Sequence, residues 1–168
     1  SPAHGPSIDV LSSTASVTQG WFASVKNSVV GRNIVFFFLG YVHAPNTTQR
    51  TWFCLSDQTL NTMSANDNPA GNYAGFRWSG IASDTSWQCI TKDGTTQSIT
   101  PSGVVPAVDV TQSFTMVFKD VVPSIDFYIN GAFITNIATH LPPVNTLMNW
   151  VASDINTAAA SHGVGIEQ

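Results

Sequence analysis

Charged residues are scarce in this 168-residue chain, at 10% of the sequence, against about 25% in an ordinary soluble protein. Glutamate is the scarcest of them, since nine of the ten acidic residues are Asp and Glu167 is the only Glu. Ser and Thr together fill 36 positions. Helix surfaces are usually built from Glu, Lys, Gln and Arg, so this composition argues against a helical protein. It favours an all-β protein whose solvated faces carry Thr, Ser, Asn and Gln.

Basic residues are too few and too dispersed to form a phosphate-binding surface. The chain has six Lys and Arg and a formal net charge of −4, so we expect no nucleic-acid partner and no polybasic contact with a membrane. The longest apolar run, residues 34–42, is interrupted by Gly40 and is too short to span a bilayer. The chain opens at Ser1 without a signal-peptide pattern, which suggests a processed or excised product.

Cysteine is represented only by Cys54 and Cys89, each two residues after a Trp on the same strand face. No CxxC or Cys/His spacing for a metal is present. Two interpretations stay open: two buried free thiols, which we favour, or a cross-strand disulfide.

Length and turn spacing predict one antiparallel β-sandwich of jelly-roll type. The length fits a single domain, for which we predict residues 8–168 after an extended, Pro-containing arm at residues 1–7. Short β-type runs alternate with turn residues over the rest of the chain. Residues 33–42 are apolar on both faces and predict a central, fully buried strand. Residues 64–72, rich in Asn, Pro and Gly, predict a loop.

Two dipeptides mark hairpins within this sandwich. Asp93-Gly94 separates strand-like residues 87–92 and 95–100, and Asn130-Gly131 separates residues 125–129 and 132–136. Asp-Gly and Asn-Gly supply the positive φ angles of a two-residue turn between twisted strands. The sequence therefore predicts a two-residue turn at both places.

Carboxylate pairs for glycoside hydrolysis are hard to find in this chain. The reaction needs two carboxyl groups facing each other, and Glu167 stands next to the last residue. Most aspartates sit in turn-like segments, where Asp forms local hydrogen bonds. Asp126 is the exception, because it lies mid-strand on the face of Tyr128, and we expect it to be a solvated strand residue. A serine triad is not expected either, since no Gly-x-Ser-x-Gly elbow is present.

Calcium is the one cofactor with candidate ligands. Asp67, Asn68 and Asn72 concentrate hard oxygen donors in one predicted loop. Asp57 is a candidate second carboxylate for the same ion. No known ligand spacing is matched, so an ordinary Asx-rich turn is the favoured interpretation.

Aromatic side chains are the remaining candidates for ligand binding, because sugar rings stack on exposed Trp and Tyr. Trp78 lies beside Arg77 near a predicted loop, whereas Trp52 and Trp87 are expected in the core. The candidate ligand-binding residues are therefore Trp78, Arg77, Asp126 and Tyr128.

Five segments together resemble a known family: Trp52–Asp57, Asn68–Trp78, Trp87–Gly94, Asp126–Gly131 and Thr139–Pro142. The chain resembles the concanavalin A-like lectin/glucanase superfamily from about Thr51 to Trp150. Within it, the chain is similar to the laminin-G-like jelly-roll domains of bacteriophage, other virion and microbial surface proteins. The shared residues are hairpin turns, core aromatics and a Gly that admits close strands, so the resemblance implies a fold and transfers no functional residue.

The resemblance also implies a range of functions. Its glucanase branch carries Glu-x-Asp-x-x-Glu at the catalytic strand, which one glutamate cannot supply. We therefore expect a non-catalytic surface module that builds or decorates a viral or extracellular particle. Its expected partners are other protein subunits, either in a homo-oligomer or on the particle surface. The alternative is a carbohydrate-binding, lectin-like module with glycans as partners, and a glycoside hydrolase is a remote alternative. The expected location is extracellular or on a virion surface.

Overall fold

Two antiparallel sheets of six strands each form the described part of the chain. The computed structural model describes the backbone of residues 7–12, 17–29, 33–158 and 162–167 and the side chains of residues 33–158. Sheet I has the strand order β1-β12-β3-β8-β9-β10, and sheet II has the order β2-β11-β4-β5-β6-β7. The predicted antiparallel β-sandwich is confirmed. Of the predicted N-terminal arm, residues 1–6 lie outside the described residues, and Ser7 begins strand β1.

The elements follow one another in chain order, with one short helix among the strands. Their bounds are β1 (Ser7–Ser12), β2 (Val17–Val29), β3 (Val35–His43), β4 (Gln49–Ser56), α1 (Leu60–Ala65), β5 (Gly71–Ser79), β6 (Gln88–Gly94), β7 (Gln97–Pro101), β8 (Gln112–Lys119), β9 (Ser124–Ile129), β10 (Ala132–Ile137), β11 (Leu147–Asn156) and β12 (His162–Glu167). The helix has six residues, and no helix of the described segments is long and apolar enough to cross a membrane.

The main core lies between the two sheets and is rich in aromatic rings. Along β8 burial alternates, with Phe114, Met116 and Phe118 inward and partly exposed residues between them, as a half-buried strand requires. Phe114 contacts Phe53 of sheet II at a ring-centroid distance of 5.1 Å. Trp87 is fully buried in the same cluster, as predicted, and donates a hydrogen bond to the side chain of Gln112 at 2.9 Å.

Sheet II is also covered on its outer face, which the sequence did not indicate. Every residue of β4 is buried, and Trp52, Tyr73 and Met63 belong to a second apolar cluster on that face. Met63 comes from α1, whose N-cap Thr59 accepts a hydrogen bond from the backbone of Thr62. The helix includes residues 64 and 65, so the loop predicted over 64–72 is wrong at its start, and it is wrong at its end because β5 begins at Gly71. A well-capped turn that buries Met63 explains the helix.

Strand β3 is central, but the outer face of its first half is exposed. It is third of six in sheet I, as predicted. Val35 and Phe37, however, are 60% and 52% exposed on the outer face, whereas Phe38 is buried in the inter-sheet core. The prediction of burial on both faces is therefore wrong over the first half of the strand, whereas Tyr41, further along the same face, is buried. The apolar pattern reports hydrophobicity and not the presence of a covering layer.

The two predicted hairpins differ in their turns. Asn130 and Gly131 have φ of +52° and +75° and join the paired residues Ile129 and Ala132, so this two-residue turn is confirmed. In the other hairpin the last pair between β6 and β7 joins Lys92 to Gln97, which leaves residues 93–96 between the paired positions, although Asp93 and Gly94 still pair with β5. The prediction of a two-residue turn is wrong there, because the Asp93 carboxylate accepts hydrogen bonds from the backbone of both Thr95 and Thr96 and stabilises the longer loop.

Both cysteines are buried free thiols, and the alternative of a disulfide is excluded. Cys54 belongs to the outer cluster of sheet II, whereas Cys89 lies in the inter-sheet core. The two side chains therefore lie on opposite faces of one sheet. Burial raises the pKa of both thiols, that of Cys89 to about 12, so both stay protonated at neutral pH.

Candidate functional site

The outer face of sheet I carries a row of partly exposed aromatic side chains. The register places Phe133 opposite Tyr128, Tyr128 opposite Thr115, and Thr115 opposite Phe37. Four neighbouring strands span about 14 Å at the usual strand spacing. Phe133 is 57% exposed, and its ring meets that of Tyr128 edge-on at 5.5 Å. We call Phe37, Tyr128 and Phe133 the aromatic row.

A polar cluster adjoins the aromatic row at Phe133. Asp126 accepts hydrogen bonds from the Lys119 ammonium at 2.5 Å and from the Asn136 amide at 2.6 Å. A register shift in β10 between Phe133 and Thr135 places Phe133 and Asn136 on the same face, although they are three residues apart. We call Asp126, Lys119 and Asn136 the polar cluster.

An open cavity of about 620 Å³ lies over this cluster. Its lining combines polar and apolar side chains: Asn33, Lys119, Ser124, Asp126 and Asn136 with Val121, Val122 and Phe133. Asp126 is the one carboxylate among these lining residues. The arrangement offers hydrogen-bond donors and acceptors beside an exposed ring.

Asp126 is not the solvated strand residue that the sequence suggested, because it is 6% exposed. Burial acts to raise the pKa of its carboxyl group, but the hydrogen bonds from Lys119 and Asn136 outweigh burial and hold the pKa below its ordinary value. The carboxylate is therefore ionised at neutral pH, and the Lys119 ammonium balances its charge. The polar cluster presents a fixed, neutral set of hydrogen-bonding groups.

The other two predicted ligand residues lie elsewhere and are covered. Trp78 is 7% exposed within the inter-sheet core, so its expected position at an exposed loop is wrong. Arg77 is 4% exposed and donates two hydrogen bonds to the Asp84 carboxylate, each at 3.1 Å. The segments that follow β5 and α1 fold over Arg77, and local sequence context could not show this.

The candidate calcium ligands already have partners within the chain. Asp67 accepts two hydrogen bonds from Arg50, both at 2.7 Å. Asn68 accepts one from the Lys92 ammonium at 2.7 Å. Asn72 donates its amide to Asp57 at 2.6 Å. These hydrogen bonds give the four side chains an internal structural role. No group of three or more His, Cys, Asp or Glu that could hold a metal occurs in the part of the chain that is described.

Three buried cations hold the loop at residues 66–70 onto the outer face of sheet II. Besides their side-chain partners, each donates to a main-chain carbonyl: Arg50 to Ser64 at 2.8 Å, Arg77 to Asp67 at 2.6 Å and Lys92 to Pro69 at 2.7 Å. The outer face of sheet II is thus covered over β4, β5 and β6 by the chain itself. The outer face of sheet I is open over the aromatic row and the polar cluster.

Comparison with known proteins identifies the architecture. No protein-family model matches the chain, and no curated protein is similar to it in sequence. The Emp46p carbohydrate recognition domain, in a potassium-bound form, is similar with a TM-score of 0.65 at 10% identity, covering 94% of this chain and 78% of that one. The carbohydrate binding module CBM66 from Bacillus subtilis has a TM-score of 0.57 at 6% identity, covering 94% and 83%. The fold is a concanavalin A-like jelly roll.

A glucanase also shares this jelly roll. A prokaryotic β-1,3-1,4-glucanase derived from a mouse hindgut metagenome has a TM-score of 0.61 at 8% identity, covering 95% of this chain and 77% of that one. The superfamily resemblance inferred from the sequence is confirmed for the fold. The narrower laminin-G-like and virion context stays a prediction.

Within the jelly roll, Asp154 is a buried carboxylate that the sequence did not reveal. It is fully buried, and one of its oxygens accepts hydrogen bonds from Gln49 at 2.8 Å and Thr51 at 2.6 Å. The other oxygen has no hydrogen-bond partner. Burial raises the pKa of Asp154 to about 6 against these two hydrogen bonds. Asp154 lies on β11, which runs to Asn156, and no motif in the sequence marks this position.

The described histidine side chains form surface pairs with aspartates. His43 contacts Asp109, and His140 contacts Asp93 at 2.9 Å. Both imidazoles are about two-fifths exposed. Neither pair includes a serine or a cysteine, so nucleophilic catalysis gains no support from them.

Proposed function

We propose that the chain is a carbohydrate-binding module whose binding surface is the aromatic row together with the polar cluster. The observation that carries this proposal is the exposed Phe133 ring beside the hydrogen-bonded Asp126 carboxylate. A sugar presents an apolar face of C–H groups and an edge of hydroxyl groups, which calls for an aromatic surface beside a few fixed polar groups. This jelly roll offers both on one open face.

The polar cluster is suited to hydroxyl groups. A hydroxyl donates one hydrogen bond and accepts others, and the cluster supplies both functions through the Asp126 carboxylate and the Lys119 ammonium. Lys119 is about half exposed and Asn136 is exposed, so both reach solvent beside the nearly buried Asp126. Because the ion pair is internally balanced, we propose an uncharged glycan. The similarity to a carbohydrate binding module and to a carbohydrate recognition domain supports this class of ligand.

We further propose that the module is non-catalytic. Glycoside hydrolysis needs two carboxyl groups on either side of the bond, and the cavity lining includes only Asp126. Each of its oxygens accepts one hydrogen bond, from Lys119 or from Asn136, and its lowered pKa is opposite to that of a general acid. Hydrolysis of a β-glucan that is lost in Asp126→Asn would contradict this proposal.

A second candidate function is assembly with other subunits on an extracellular or viral particle. The observation in its favour is exposed apolar surface at Val35, Phe37, Val121 and Val122, the last two 91% and 71% exposed. Contiguous exposed apolar side chains, such as the neighbours Val121 and Val122, often mark protein contacts. Light scattering after size-exclusion chromatography decides between a homo-oligomer and a monomer, and Val121→Ser should dissociate an oligomer built on this patch.

Replacement of Phe133 by Ala is expected to weaken glycan binding at least tenfold, because the variant loses the exposed ring and leaves the polar cluster in place. Wild type and variant are compared on a glycan array, with and without a calcium chelator, and the strongest hit is then titrated by calorimetry. The matched control is Ile99→Ala, since Ile99 is 45% exposed on sheet II. Equal losses in both variants, or a blank array for the wild type, would contradict the proposed surface.

A further inference from the structure

A second cavity of about 400 Å³ lies at the end of the sandwich, beside the first. Most of its lining is apolar and comes from two segments: Phe118 and Ile125 at the β8–β9 turn, and Leu141, Pro142, Pro143 and Val144 from the connection that precedes β11. The volume falls within the range of small-molecule sites, which is about 300–1,000 Å³. The cavity therefore suits an apolar group of limited size.

The two cavities meet at one step of the β8–β9 ladder. Lys119 pairs with Ser124, and Phe118 pairs with Ile125. Because side chains alternate along a strand, the first pair points to the outer face and the second points between the sheets. Lys119 and Ser124 line both cavities. A ligand bound at the polar cluster that extends past Lys119 therefore reaches the apolar cavity directly.

We infer that the second cavity receives the apolar aglycone of a glycoconjugate whose sugar occupies the polar cluster. This inference rests on the proposed carbohydrate-binding function and names its ligand class, an alkyl or aryl glycoside. A free sugar would leave the apolar lining in contact with water. An attached alkyl chain would cover that lining, and each buried methylene strengthens binding about fourfold.

The test compares methyl and n-octyl glycosides of glucose, galactose and mannose, with the n-octyl compounds kept below their critical micelle concentrations. Ligand-observed NMR titration measures both affinities in wild type, Val144→Asp and Val105→Asp. Val144 and Val105 are both 63% exposed, but only Val144 lines the apolar cavity. We expect n-octyl glycosides to bind wild type at least tenfold more tightly than their methyl counterparts. Val144→Asp should reduce this advantage below threefold with methyl-glycoside affinity unchanged, and Val105→Asp should leave the advantage intact.

Three outcomes overturn the inference alone, and a fourth overturns it together with the proposed function. Equal affinities for methyl and n-octyl glycosides would show that no aglycone site exists, while sugar binding itself stands. An advantage that survives in Val144→Asp would place the alkyl chain elsewhere. If 1-octanol binds as tightly as the n-octyl glycosides, the sugar adds nothing to the affinity, and the two cavities act as separate sites. Failure of every methyl and n-octyl glycoside to bind would instead contradict the proposed function, and the aglycone site with it.

Discussion

Asp67→Ala is expected to lower the free energy of unfolding by about 3 kcal/mol, the lower end of the cost of breaking a buried ion pair. Asp67 forms two hydrogen bonds with Arg50, whose side chain is 7% exposed, and lies 3.7 Å from Arg77. Removal of the carboxylate leaves the Arg50 charge buried without a counter-ion. The lower end applies because the Asp67 side chain is 28% exposed. Urea denaturation at neutral pH measures the loss.

The matched control for this variant is Asp120→Ala, because Asp120 is an exposed carboxylate in the β8–β9 turn. It should change the free energy of unfolding by less than about 0.5 kcal/mol. A double-mutant cycle of Asp67→Ala with Arg50→Met should show a coupling energy of about 0.5–3 kcal/mol. If Asp67→Ala costs no more than the control, the buried cations do not hold the loop in place, and the outer face of sheet II becomes a candidate binding surface.

Asp154→Asn is expected to change how stability depends on pH. Because the native pKa of about 6 lies above the unfolded value of about 3.9, the native state binds more protons between these values. The contribution of Asp154 to stability is present below about pH 4 and is lost as the pH rises through 6. Asn resembles the protonated acid in charge and shape, so the stability of the variant relative to wild type should rise by about 2 kcal/mol between pH 4 and pH 7.5.

Urea titrations at pH 4, 5, 6 and 7.5 check this difference. Subtraction of the wild-type free energy of unfolding from that of the variant cancels the contributions of Asp67 and Asp126. Their pKa values are lowered, so they change the stability in the opposite direction as the pH rises. Ile99→Ala, which removes an exposed side chain without a titratable group, serves as control and should differ from wild type by a constant amount over this range. A flat difference for Asp154→Asn would show that Asp154 is not a buried, proton-binding carboxylate.

The fold could be predicted from sequence because its signals are local. Turn dipeptides such as Asn130-Gly131 and the alternation along β8 set strand ends and faces without reference to the rest of the chain. The errors arise where segments distant in the sequence determine whether a strand face is covered. The outer face of β4 is covered by a helix whose only sign in the sequence is one Thr cap. The outer face of β3 is open at Val35 and Phe37 because no other segment of the described chain covers them.

The candidate site was predicted in part for the same reason. Asp126 and Tyr128 were placed on one face by strand alternation. Phe133 was missed, although a two-residue turn at 130–131 implies that it lies opposite Tyr128. Asn136 could not be predicted, because a register shift in β10 brings it to that face. Trp78 was misplaced because sequence alone does not show which face of β5 meets the other sheet.

The most direct test of the proposed binding surface is an NMR titration of the isotope-labelled protein with the strongest glycan from the array. We expect the largest chemical-shift changes at Tyr128, Phe133 and Asn136 on the outer face of sheet I. Gln97 and Ile99 on sheet II should show none. Changes centred on Gln97 and Ile99, with β9 and β10 unaffected, would contradict the assignment of the glycan-binding surface to sheet I.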